Sequence, residues 1–334
     1  VDATTATVAH ISVVICTRDR PDTIEQAVVS VLANTYASFD LMVIDQSRTM
    51  ATEYLLVSIA EKDRRLTYVH VTETGLARAR NSGIARTTGE IIAFTDDDCI
   101  VTQNWLSTIA CAFGEDTQAD LLYGQVFAPK IKVSPGSVTP SLTIPRAERL
   151  SRRDGFRIFG MGANFAARRH LFTSIGGFDE VLGAGGPMQA GEDFDLAYRT
   201  YLAGRAILLR PEIQVTHYGT RNPNEWQTTL RSYGIGDGAF YGKHIRCRDL
   251  FALRLLTQQL LVTSARVYAH RLLGHRRTEM TYVRYILIGI RKCFSFDIDS
   301  RSRLYVQRGG RRRGAGPESK SLVPVALNQP ANDQ

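Results

Sequence analysis

Three consecutive carboxylates, Asp96, Asp97 and Asp98, follow the apolar run Ile91-Ile92-Ala93-Phe94. Such a run reads as a strand that ends at the carboxyl edge of a sheet, where α/β proteins place their ligands. Adjacent like charges repel, more so when desolvated, and carboxylate oxygens are what hard divalent cations prefer, so the cluster points to Mg²⁺ or Mn²⁺. An exposed acidic turn is the plain alternative, because Asp is favoured at turns and helix N-caps. A second acidic group, Glu192 and Asp193, opens a helix-like segment directly after the glycine-rich stretch 183–191. Attraction to the helix macrodipole is reason enough for acids there. Asp195 stands four residues before Arg199, the spacing of an ion pair on one helix face.

These groups need elements to hold them. Short apolar runs predict strands over 11–16, 41–44, 66–71 and 90–94, and helical patterns follow from Pro21 to about 32, over 52–61, 76–86 and 105–113. Pro21 suits a first helical turn. Strand-helix alternation of this kind predicts a parallel sheet with helices on both faces. Polar groups then gather at one edge: Thr17 and Arg18 after the first strand, Asp45 after the second, the aspartate run after the fourth. The first strand-helix turn, Cys16-Thr-Arg-Asp-Arg-Pro21, lacks the glycines of a dinucleotide or Walker-type loop, which argues against NAD and P-loop chemistry. Further on, strands are expected at 121–127, 161–167, 206–209 and 213–215, a loop at 129–145, and helices from Arg169 and from Glu192 to about 203. Residues 226–294 are helical in pattern.

The chain has 334 residues with 44% apolar side chains, enough for one large domain or a domain with an appendage. Its five cysteines are odd in number and unpaired in spacing, against a disulfide framework or a zinc site and in favour of a reducing cytosol. Residues 1–10 show no signal-like pattern and no stretch reaches the apolar length of a membrane span, so a cytoplasmic location is expected, peripheral at the inner face of the plasma membrane. The net charge of +8 is uneven: residues 242–313 hold 17 Lys and Arg against 4 Asp and Glu, leaving 24 against 29 elsewhere. Such a basic region suits an anionic membrane surface, or is a solvated face; nucleic acid is not the expected partner.

Six segments in order carry a resemblance: Ile11-Ser-Val-Val-Ile-Cys-Thr-Arg18, Val43-Ile-Asp-Gln-Ser47, Ala79-Arg-Asn-Ser-Gly-Ile84, Gly89-Glu-Ile-Ile-Ala-Phe-Thr-Asp-Asp-Asp98, Gly176-Gly-Phe-Asp-Glu180 and Gly191-Glu-Asp-Phe-Asp-Leu196. Over about residues 10–220 the chain resembles the family 2 glycosyltransferases. That resemblance implies the GT-A fold, an α/β, Rossmann-like, mostly parallel sheet flanked by helices. It divides the chain into a catalytic domain over 10–225, with a nucleotide-sugar half over about 10–113 and an acceptor half over about 114–225. A helical basic appendage over 226–308 and a disordered tail over 309–334 follow.

The resemblance also implies inverting transfer of a sugar from a UDP-, dTDP- or GDP-linked donor to a glycan or lipid-linked acceptor, with Mn²⁺ or Mg²⁺ on the donor diphosphate. Asp96 and Asp98 match the metal-holding pair, with Asp97 between them beside the donor. His217 matches a third ligand in several relatives, although a lone strand-end histidine is also a common structural residue. Asp45 matches the aspartate that contacts the nucleobase, and Thr17 and Arg18 would lie against the nucleoside. Arg80 would face the diphosphate or make a surface ion pair. Gln46 stands where the family often carries a second aspartate, which leaves the base open. Asp193 matches the general base and Glu192 a residue that orients the site. No Gln-x-x-Arg-Trp signature is present, Trp105 and Trp226 standing in other contexts, so a non-processive enzyme is expected. A nucleotidyltransferase also uses an acidic metal site on such a sheet, and a degenerate, inactive binding protein is the rival from another class.

Overall fold

The structure, a computed structural model, describes residues 9–157, 160–272 and 278–308, with side chains described outside 266–281. The tail at 309–334 lies outside the described residues, as does the N-terminus before residue 9. Four strands, β1 (Ile11–Thr17), β2 (Phe39–Asp45), β3 (Leu66–His70) and β4 (Ile91–Asp96), pair in parallel in the order β3-β2-β1-β4. Helices α1 (Pro21–Leu32), α2 (Ala51–Ala60) and α3 (Leu76–Arg86) connect them. The strands are near-continuous apolar runs because both faces are covered. Val13 and Ile15 enter one core cluster, while Val14 enters the cluster on the opposite face. The strand order reverses between β1 and β4, where Cys16 stands opposite Asp96, and on the other side of β1 Thr17 stands opposite Asp45. A crevice at such a reversal is where an open α/β sheet binds ligands.

The second half contains β5 (Cys99–Val101), α4 (Trp105–Glu115), β6 (Ala119–Phe127), β7 (Glu148–Leu150), β8 (Asn164–Arg168), α5 (Arg169–Ile175), α6 (Glu192–Leu202) and β9 (Ala206–His217). The full sheet runs β3-β2-β1-β4-β8-β6-β9-β5, with β7 also on β9. Strand β8 is antiparallel to both β4 and β6, so the sheet is parallel in its first half and mixed in its second. Its direction matters: Asn164, at the start of β8, pairs with Thr95 at the end of β4. The backbone just before β8 therefore lies at the ligand edge. The two strands expected at 206–209 and 213–215 form one, interrupted in register where Pro211, which has no N–H to donate, sits in the strand. Residues 129–145 form isolated bridges only, Val126 with Leu142 and Val138 with Arg221.

Three helices follow, α7 (Pro223–Arg246), α8 (Leu250–Leu272) and α9 (Thr278–Lys292), and then a hairpin of β10 (Phe296–Ile298) and β11 (Tyr305–Gln307). Asn222 caps α7 by accepting from the Asn224 and Glu225 N–H groups, with Pro223 in the first turn. Phe240, Ala252, Leu256 and Ile286 from this region belong to the same core cluster as Phe94, Leu121 and Phe165 of the sheet. A buried ionic group adds to the join. Lys243 Nζ lies 2.6 Å from both Asp179 and Asp195, and Asp195 also accepts from Arg199 at 2.8 Å and pairs with His244 at 3.0 Å. The Tyr305 N–H donates to Asp179 at 3.0 Å.

Removing the cation would leave two carboxylates facing each other out of water. Lys243→Ala is therefore expected to cost roughly 3–5 kcal/mol in urea unfolding, the loss typical of a broken buried pair. A loss no larger than the ~0–1 kcal/mol of an exposed pair would show that water enters this group.

Candidate active site

The crevice between β1 and β4 opens into a cavity of about 290 Å³. Its walls include Thr17, Arg18 and Arg20 after β1, Gln46 after β2, Asp96–Asp98 after β4, Ala184 and Gly185 of the glycine-rich stretch, and His217 and Arg221 after β9. The three aspartates have different surroundings. Asp97 is buried and accepts from Thr17 Oγ1 at 2.7 Å and from Arg20 at 2.9 Å; burial pushes its carboxyl up to about 6, with Arg20 opposing. Asp98 accepts from the same Arg20 nitrogen at 2.9 Å and faces His217 Nε2 at 3.2 Å. Burial raises its pKa, but His217 and Arg20 outweigh that and hold it below the ordinary carboxylate range. Asp96 is a third exposed and is shifted up by burial against the pull of Arg80.

His217 reaches this group through β5, a three-residue strand that pairs Cys99 with His217. Its Nδ1 lies 3.0 Å from the Pro140 carbonyl oxygen, which only accepts, so Nδ1 carries a proton and Nε2 is turned to Asp98. A bare lone pair facing a carboxylate is repulsive. Something positive has to stand between them, a proton or a metal ion. Asp98 accordingly raises the His217 pKa against the lowering effect of burial.

The donor set suits a hard cation. Ligand atoms of Asp96, Asp98, Cys99 and His217 lie within 4.8 Å of one another. Burial pushes the Cys99 thiol well above its usual range, and a hard cation prefers oxygen and imidazole to sulfur, so the set fits a hard divalent cation through two carboxylates and an imidazole. Arg221 adds a second observation. Its Nη1 is buried without a hydrogen-bond partner on the wall of the cavity, a cation placed for an anionic group that is not part of the protein.

Behind the cluster, Arg80 is 3% exposed and its guanidinium packs over Phe165 and Phe178. It lies 3.4 Å from Asp96, donates to Glu192 at 2.9 Å and to the Gly162 carbonyl at 3.0 Å. Arg80 is thus neither a surface pair nor a cavity wall; it is a strut between the aspartates and the acids of α6. Glu192 is buried, and desolvation with Asp193 beside it pushes its carboxyl up to about 7 against Arg80. Asp193 is half-buried at the first turn of α6, Oδ2 accepting from the Gly162 N–H and Oδ1 from the Phe194 N–H, each at 2.8 Å. A Cβ at residue 162 would stand 2.9 Å from both Asp193 Oδ2 and Arg80 Nη2, so only glycine admits this approach. Gly191, with φ of +93°, turns the chain into α6 against Gly236 of α7.

Most of the sequence-derived site residues converge here: Thr17, Arg18, Asp96, Asp97, Asp98 and His217 on the cavity, with Arg80, Glu192 and Asp193 joined to them through ion pairs and the Gly162 backbone. Asp45 is the exception. It is fully buried, accepting from Tyr68 Oη at 2.9 Å and the Ser47 N–H at 2.8 Å, and does not line the cavity. Its contribution to the cavity is the Gln46-Ser47 turn that it anchors. Sequence reasoning passed over Arg20 and Arg221. Arg20 sits two residues beyond the first strand's polar end, a position that could have flagged it, whereas nothing in the sequence marks Arg221.

A reversal-point crevice with an acidic, imidazole-completed cluster and a carboxylate pair at a helix start defines a GT-A type of α/β protein. Solved structures agree on the fold: mannosyltransferase PcManGT from Pyrobaculum calidifontis, in complex with GDP-Man and Mn²⁺, superposes with a TM-score of 0.59 at 16% identity over 86% of this chain and 88% of that one. Residues 12–176 match the glycosyl transferase family 2 model, and this stretch of the chain is a domain of that family. Among curated relatives it is 29% identical over 182 residues to the pre-mycofactocin glycosyltransferase of Mycobacterium tuberculosis, covering 52% of this chain and 34% of that enzyme. It is 22% identical over 235 residues to the glucosyl-dolichyl phosphate glucuronosyltransferase of Haloferax volcanii, covering 68% and 75%. The chain thus spans about a third of the length of the first of these relatives.

Proposed function

We propose that this chain transfers a sugar, with inversion and without processivity, from a nucleotide-sugar to an acceptor hydroxyl of a glycan or lipid-linked glycan. The observation that carries this reading is the meeting of Asp96, Asp98 and His217 at one cavity, with Asp193 joined to them through Gly162, whose N–H it accepts and whose carbonyl accepts from the Arg80 that pairs with Asp96. A divalent cation, Mn²⁺ or Mg²⁺, would neutralise charge on the departing diphosphate. The two aspartates and His217 Nε2 would hold it, while Arg18, Arg20 and Arg221 meet the phosphate oxygens. Thr17 and the Gln46 turn form the nucleoside side.

On the other side, Asp193 takes the proton of the acceptor hydroxyl as that hydroxyl's oxygen bonds to the anomeric carbon and the bond from that carbon to the diphosphate breaks. Both its oxygens accept backbone N–H groups, which fixes the carboxylate in one orientation. Glu192, tied to Arg80, keeps the strut in place. Residues 10–225 would supply the catalytic part, with 226–308 as the basic helical extension.

The test is a panel of UDP-, dTDP- and GDP-sugars with Mn²⁺, read by thermal shift and by nucleoside diphosphate release. Release of pyrophosphate would replace this reading with nucleotidyl transfer, and no binding at all with the inactive binding protein. One variant probes the cluster before any turnover. Arg20 shares its charge between Asp97 and Asp98, so it competes with the metal in the free protein. Arg20→Ala is expected to tighten Mn²⁺ binding, measured by calorimetry without donor, by about two- to fivefold, what a half-exposed pair is worth. Donor affinity with Mn²⁺ present should fall.

A further inference from the structure

Helix α8 is apolar on two sides, and among the described residues only one of them is covered. Ala252 and Leu256 are buried in the core, with Phe251, Leu255 and Leu260 packed against it. The other side presents Leu250, Leu253, Leu261 and Val262, exposed by 78, 45, 67 and 45%, with Arg254 among them. Positions 250, 253, 254, 257, 258, 261 and 262 recur at helical intervals, so they form one stripe. A stripe bound only for water needs no leucines, and contiguous exposed apolar surface marks a contact.

Charge selects the partner. Among the described side chains of residues 246–308, seven exposed Arg and Lys, from Arg248 to Arg308, face exposed Asp297 alone, and Arg308 stands 3.9 Å from that aspartate. We propose that the outer face of α8 lies in the headgroup layer of an anionic membrane, its leucines at the acyl boundary and Arg254, which stands among them in this basic region, at lipid phosphates. A second copy fits less well. A two-fold contact sets the same patch against itself, and the residues lining it include no carboxylate to pair with Arg254. Nucleic acid would satisfy the arginines and leave the leucines in water. No described helix is long and apolar enough to cross a membrane, so contact of this kind is made along the surface.

The test uses the full chain and vesicles of phosphatidylcholine, with or without phosphatidylglycerol. Co-sedimentation is expected with the anionic vesicles only, and to weaken as salt is raised. Leu253→Glu with Leu261→Glu should lower partitioning by about tenfold or more. Arg254→Glu alone should lower it by about fivefold or more. Melting temperature and donor binding serve as folding controls; should the double variant fail them, Arg254→Glu carries the decision. Pelleting that is unchanged in the variants, equal on neutral vesicles, or absent at low salt overturns the proposal. A wild-type dimer in solution that these substitutions split would give the face to a second copy instead. Nucleoside diphosphate release is read separately, so this result and that of the transfer reaction do not depend on each other.

Discussion

Alanine at Asp98 or at Asp96 is expected to remove Mn²⁺-dependent donor binding and to cut transfer by on the order of 10³-fold or more, the scale of losing a group that stabilises leaving-group charge. Both carboxylates lie within reach of His217 in one ligand set, and neither loss is made good by Cys99, a sulfur that a hard cation disfavours. Asp97 is different. Its oxygens are already taken by Thr17 and Arg20, so Asp97→Asn should leave the metal titration nearly intact and lower turnover far less. His217→Ala should fall between them, because one nitrogen ligand is lost and two carboxylates remain. Calorimetry of Mn²⁺ with donor, beside initial rates, ranks the four variants. If Asp97→Asn proved the most damaging, the ligand pair would have to be reassigned.

The second large effect concerns the base. Asp193→Asn preserves size and one acceptor oxygen but cannot take a proton, so transfer to acceptor should fall roughly 10²–10⁴-fold while donor binding holds. Neighbours need to be measured beside it. Glu192→Gln weakens the tie to Arg80 and should disturb both donor affinity and rate. Asp195→Asn acts on the buried group with Lys243, Arg199 and His244, and should appear chiefly as lost stability. A variant at 193 with near-normal transfer, alongside a folded variant at 192 without it, would move the base to Glu192.

Much of the parallel half was legible in the sequence. Helix α3 occupies the predicted residues 76–86, and α1 begins at Pro21 as its missing N–H allows. These elements are long enough for periodicity to speak. Strands β5 and β7, at three residues each, are too short for any pattern, yet β5 is what brings His217 to Asp98. The direction of β8 is equally silent in composition, and with it the arrival of Gly162 beside Asp193. For the site, residue types disclosed the acids. They did not disclose partners: that Arg80 bridges two acidic groups, or that a lysine in a helical stretch answers Asp179 and Asp195, depends on contacts between residues as far apart in the chain as 112 and 64 positions.

Arg80 also makes the two sides of the cleft a single thermodynamic unit. Its one positive charge is divided between Asp96 and Glu192. A cation bound at Asp96 satisfies that carboxylate and leaves more of the guanidinium to Glu192, whose proton, held up to about 7, is then released more readily. Linkage requires the converse by the same factor: loss of that proton strengthens the hold on the cation. Metal affinity therefore rises as Glu192 loses its proton and falls as it regains it, the two coupled through the single side chain of Arg80.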